Sequence, residues 1–169
     1  MKLDFEVIFD RISTKIRAEL PALITAMNVD KTEFAAVTGR ELVLLEEIED
    51  EYFLIERWVE GSPTTVPPYP VSYVLDWLNP QISSSGPAIA WKVPMAFHII
   101  INENFEGNLS IMLLRYALIQ ADLITKHVNT IPDITGGVTI VDQDAVPIQD
   151  NIGHSFTACS IMFTIDLPI

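Results

Sequence analysis

Three histidines and one cysteine are the residues of this chain best suited to nucleophilic, acid–base or metal chemistry: His98, His127, His154 and Cys159. A catalytic histidine needs a carboxylate or carbonyl to orient it and a partner within hydrogen-bond reach, and a zinc site needs several such ligands at short, fixed spacing. Neither pattern is present locally. His98 falls inside "WKVPMAFHIIIN", the most hydrophobic run, where strand alternation puts Met95, Phe97, Ile99 and Ile101 on one face and Ala96, His98, Ile100 and Asn102 on the other. No acid stands two residues away on its face, so His98 reads as a strand residue with a structural role. His127 sits near the end of a helical pattern, where the helix dipole favours positive charge. His154, beside Gly153, reads as a loop residue at the mouth of a final hairpin, and Cys159 as a small buried hydrophobe.

Other motifs are equally sparing. Ser83, Ser84, Ser85 and Gly86 form a serine cluster without the glycine-framed elbow of a nucleophilic serine, and read as a flexible loop. Gly136 and Gly137 precede a strand and fit a turn better than a phosphate cradle. The acidic run "EEIEDE" lacks the ligand spacing of a calcium loop and reads as a solvated face or turn. The expectation is therefore that no residue is catalytic, cofactor-binding or metal-binding.

The elements that would position these residues are readable from periodicity. Phe5, Ile8, Phe9, Ile12, Ile16, Leu20, Leu23 and Met27 recur at helical steps, with a kink or break expected at Pro21. Residues 41–60 are acidic and fit either a helix or two short strands. Residues 61–91 are rich in Pro and Ser; both segments are candidate insertions or loops, although "VSYVLDWL" within the second reads as a short strand. In "GNLSIMLLRYALIQADLITKHVN", Ile111, Leu114, Leu118, Ile119 and Leu123 are spaced for a helix packing on a sheet, with Asn108 or Ser110 as its cap. A final antiparallel strand pair includes "SFTACSIMFTIDLPI", with Thr157, Cys159, Ile161, Phe163, Ile165 and Leu167 towards the core. The expected fold is α+β, one domain over residues 1–169, with a mixed or antiparallel sheet packed against an N-terminal and a central helix.

Composition narrows the function. The 169 residues are 49% hydrophobic, yet 23 acids face 10 Lys and Arg, for a formal charge of −13. Scattered basic residues leave no footprint for phosphate backbones, which excludes tight nucleic-acid binding. No apolar run approaches a membrane span, the start "MKLDFEVIFDR" lacks a signal-peptide pattern, and a lone cysteine cannot form an intramolecular disulfide. A cytosolic protein is expected, and the apolar surplus is compatible with surface buried when copies assemble.

The phrases "YPVSYVLDWLNP", "VPMAFHIII", "NENFEG", "LSIMLLRYALIQADLI" and "FTACSIMFTIDL", in that order, resemble the tail-terminator, or tail-completion, proteins of long-tailed bacteriophages and prophages. The resemblance covers Met1 to Leu20 and Tyr69 to Ile169, and departs from the family pattern between Arg40 and Glu60. It implies a virion protein assembled in the bacterial cytoplasm, whose copies form a ring, commonly a hexamer, that caps the tail tube, meets the head connector and lets DNA pass without specific binding. An acidic channel wall would repel the phosphates of that DNA. The competing expectation is a small-molecule enzyme or binding domain that uses His98 or His154 with a nearby acid in a pocket between helix layer and sheet.

Overall fold

The computed structural model describes residues 5–40, 44–45, 53–55, 71–77, 81–85, 88–102, 109–134, 136–149 and 155–168. Within them two helices, α1 (Phe5–Thr38) and α2 (Leu109–Asp122), and six strands form an α+β fold: β1 (Phe53–Ile55), β2 (Val71–Trp77), β3 (Gln81–Ser85), β4 (Ala88–Asn102), β5 (Val138–Gln149) and β6 (Ser155–Pro168). The sheet runs β1-β2-β4-β6-β5, and β3 also pairs with β4. All pairings are antiparallel except β1 with β2. The sheet is therefore mixed, as expected.

Both helices cover one face of the sheet. On β4 that face carries Val93, Met95, Phe97, Ile99 and Ile101, and on β6 Cys159, Ile161, Phe163, Ile165 and Leu167, all buried. α1 contributes Ile8, Ile12, Ile16, Leu20 and Ile24 at four-residue steps. Phe5 meets Trp91 edge to face at 5.7 Å between ring centroids, which fixes the start of α1 over the start of β4.

Three expectations need correction. Of the kink or break expected at Pro21, the break is absent: α1 continues through it as one 34-residue helix. Pro21 lies on the exposed side of α1, so its ring and its missing N–H fall away from the core. The serine cluster is no loop: Ser83, Ser84 and Ser85 lie in β3, paired with Ala90, Ile89 and Ala88. Serine favours turns by itself, but pairing along β4 overrides that preference. The 61–91 region is correspondingly more than an insertion, since it holds β2, β3 and the start of β4. Of residues 41–60, Phe53–Ile55 form a strand and Leu44 and Leu45 are described without helix or strand; the rest, including "EEIEDE", lies outside the described residues.

The third correction concerns α2. Its core side is Met112, Tyr116, Ile119 and Leu123, together with buried Arg115 and Gln120, whereas Ile111, Leu114 and Leu118 point outward. The helix has apolar residues on two sides, and periodicity alone does not choose between them. Asn108 is outside the described residues, and Ser110 lies within the helix, not at its cap. α2 runs into a π-helical turn, Leu123–His127, and then a 3-10 turn, Val128–Thr130.

The glycine pair does form the turn into β5. Gly137 has φ +90°, and Gly136 donates its N–H to Asp166 O at 3.1 Å while Asp166 N–H donates to Gly137 O at 3.1 Å. A Cβ on Gly136 would fall 2.5 Å from both Cβ and O of Asp166. Backbone must move to admit it, so Gly136→Ala is expected to cost about 1–3 kcal/mol of stability. Urea unfolding of the variant checks this; an unchanged midpoint would show that the turn is not tightly packed.

Candidate functional site

β4 is the central strand, with β2 on one edge and β6 on the other, and its second face carries Ala96, His98 and Ile100, all buried. The register places Val74 and Ser160 on either side of His98. His98 Nδ1 lies 2.6 Å from Ser160 Oγ. Asp144 of β5 is in register with Ser160, and Asp76 of β2 with Ala96.

Burial decides what this row can do. His98 is 9% exposed, and desolvation pushes its pKa down from 6.5 to about 4. It is neutral at physiological pH and hydrogen-bonded to Ser160. A base this weak takes a serine proton poorly, because efficient general bases have pKa values near the working pH. The pair therefore joins the buried imidazole on β4 to β6.

Cys159 lies on the opposite, helix-covered face. Its Sγ is 3.2 Å from Gln120 Oε1, and burial, reinforced by the negative charge of Asp144, pushes the thiol up to about 12. A thiol that stays protonated is neither a nucleophile nor a ready metal ligand. Gln120 is fully buried, and its Nε2 donates to Phe97 O at 3.0 Å and Cys159 O at 2.8 Å. One amide thereby ties α2 to β4 and β6 and accepts the thiol proton.

His127 belongs to a third place. It closes the π-helical turn with Nδ1 3.3 Å from Glu19 Oε2 on α1. Glu19 also accepts from Lys15 Nζ at 2.7 Å, and that hydrogen bond, more than the neighbouring charge of His127, holds its carboxyl below the usual range. This contact with Glu19 across two helices accounts for the position of His127 alongside the helix dipole. His154 lies outside the described residues. The structure thus separates His98, Cys159 and His127, and among the described residues no group of three His, Cys, Asp or Glu is placed to hold a metal ion.

What the residue chemistry left unnoticed is a surface. From Leu109 to Ala121 the only charged side chain is Arg115, which is buried. The outer side of α2 is consequently an uncharged stripe in which Leu114 is 62%, Leu118 55% and Ile111 40% exposed. A second apolar surface ends α1, where Val29, Phe34 and Val37 are exposed. The signal for the first was present in the sequence as two competing apolar sides on one helix.

No protein-family model matches the chain, and no curated protein matches it by sequence. Among the described residues no helix is long and apolar enough to cross a membrane.

Proposed function

We propose that the protein is a structural virion component of the tail-terminator type, which assembles head to tail into a ring, hexameric in the commonest arrangement. That ring caps a tail tube and joins it to the head connector. The observation that carries this reading is the outer side of α2. A helix that is apolar all round belongs in an interior, and here one side of it is left in solvent on a chain with a formal charge of −13. Association with another copy completes the burial. The order of elements resembling the tail terminators points the same way, and the excess of acids suits a channel through which DNA slides without sticking.

The competing enzyme reading has one observation in its favour, the short His98–Ser160 contact. The low basicity of His98 weighs against it. The two readings part on a direct assay: purified tail tubes lacking their terminator are incubated with the protein and imaged. Rings at tube ends, with tubes no longer overgrowing, support the terminator role. Tubes that remain bare, alongside hydrolysis of a generic ester lost in Ser160→Ala, would replace it with the enzyme.

A further inference from the structure

Among the described residues β5 ends the sheet, and Thr139 to Ala145 are all exposed, so the rest of the chain leaves this edge in solvent. A bare edge strand of 12 residues is a template on which another chain can add a strand. The backbone of β5 is not bare. Asp166 of β6 donates its N–H to Gly137 O and accepts from Gly136 N–H, each at 3.1 Å, so its polar groups turn towards the β5 side. Backbone direction alternates along a strand. Thr164, Met162, Ser160 and Ala158 therefore turn the same way, and their register partners on β5 are Thr139, Asp142, Asp144 and Val146. Val138, Ile140, Gln143, Ala145 and Pro147 pair with the alternate residues of β6 and point their backbone groups outward, to the free edge.

We propose that β5 is a closed edge, on which Asn129, Asp142, Asp144 and Pro147 withhold the outward N–H donors that the β5 of a second copy would need in order to pair with it. Val138 N–H donates to Asn129 Oδ1 at 3.2 Å. Gln143 N–H donates to Asp142 Oδ1 at 2.8 Å, and Ala145 N–H to Asp144 Oδ1 at 2.7 Å. Pro147 has no N–H to offer. Ile140 adjoins the bulge at Val141, where the register shifts and a regular partner cannot follow. Strand pairing requires each chain to donate as well as accept. From Gln143 to Pro147 this edge presents carbonyls beside two carboxylates, so two such edges would meet with acceptors against acceptors and like charge against like charge. The closed edge does not depend on the ring reading: it bars one route of association, a two-fold contact that would stop at a pair or compete with a head-to-tail one.

The edge can be opened without touching the core, since Asp142, Asp144 and Pro147 are all exposed. In Asp142→Thr with Asp144→Thr and Pro147→Thr, a residue that favours strands replaces each, and the donors at positions 143, 145 and 147 are released. Asp142→Asn with Asp144→Asn is the control: both charges go, but an amide oxygen remains to accept each N–H, and Pro147 stays. Sedimentation and amide hydrogen exchange are measured on both variants and on wild type, with thermal unfolding to confirm that each is folded. The opened variant is expected to reach about twice the wild-type mass or more at the same concentration, with slowed exchange at positions 143 and 145. The control is expected to match wild type in both readings. If the opened variant does not fold, Asp142→Thr with Asp144→Thr, which keeps Pro147, takes its place on the same readings; loss of folding there too would mean that the carboxylates hold the strand itself and would overturn the proposal. So would an opened variant of wild-type mass, or one that associates without protection at 143 and 145. A control that associates would replace the withheld donors with charge repulsion. None of these outcomes bears on the ring reading, which the mass of wild type decides.

Discussion

Between pH 6.5 and about 4 the wild-type protein is expected to lose about 3 kcal/mol of stability that His98→Gln does not lose. The sign follows from the direction of the shift. The unfolded chain binds a proton at His98 with the ordinary histidine pKa of 6.5, and the folded chain only at about 4, because the buried site disfavours the charged ring. Above 6.5 both states are neutral and His98 contributes no pH dependence. As pH falls through the window, protonation stabilises the unfolded state alone, and below about 4 both states are protonated and the loss levels off. At neutral pH His98→Gln loses the Ser160 bond, which is worth about 1 kcal/mol. Urea unfolding of both proteins across this range subtracts the carboxylates they share. Parallel curves would mean that His98 is hydrated and free to titrate normally.

The second large effect is expected at Gln120. Gln120→Leu keeps the volume of the side chain, but it removes the donor shared by Phe97 O and Cys159 O and the nearer of two acceptors of the Cys159 thiol, the other being Leu113 O. Each buried hydrogen bond lost costs about 0.5–1.5 kcal/mol, and α2 loses its tie to the two central strands, so a total of about 3 kcal/mol is expected. Gln120→Glu should be worse still, since it buries a charge beside two carbonyl oxygens. Chemical denaturation gives the stability. A leucine variant as stable as wild type would show that the network confers orientation without net stabilisation, as isosteric apolar replacement of polar groups can.

These residues also show where the sequence was legible. The core sides of α1, β4 and β6 could be read directly, because Ile12, Ile16 and Leu20, then Phe97 and Ile99, then Ile161 and Phe163 follow one period without competition. The phase of α2 could not. Arg115 and Gln120 are polar and argue for an outward side, yet both are buried, and the core takes Met112 and Tyr116 in place of Leu114 and Leu118. Gln120 is buried where it meets hydrogen-bond acceptors, and those acceptors belong to strands far away in the chain. Ser160 as the partner of His98 was hidden for the same reason: their 62-residue separation closes only through the β4–β6 register. β3 was masked by serine, whose local preference says turn while a long neighbouring strand supplies the pairing. The two apolar surfaces became visible only once the phase of α2 and the exposed end of α1 were known.

Native mass measurement of the purified chain, alone over a range of concentrations at physiological salt and again with purified tail tubes, tests the central claim most directly. One closed stoichiometry is expected, six copies in the commonest arrangement, with no ladder of larger species, because a ring stops growing when its rotation closes. A single chain mass at every concentration, and in the presence of tubes, would contradict the account.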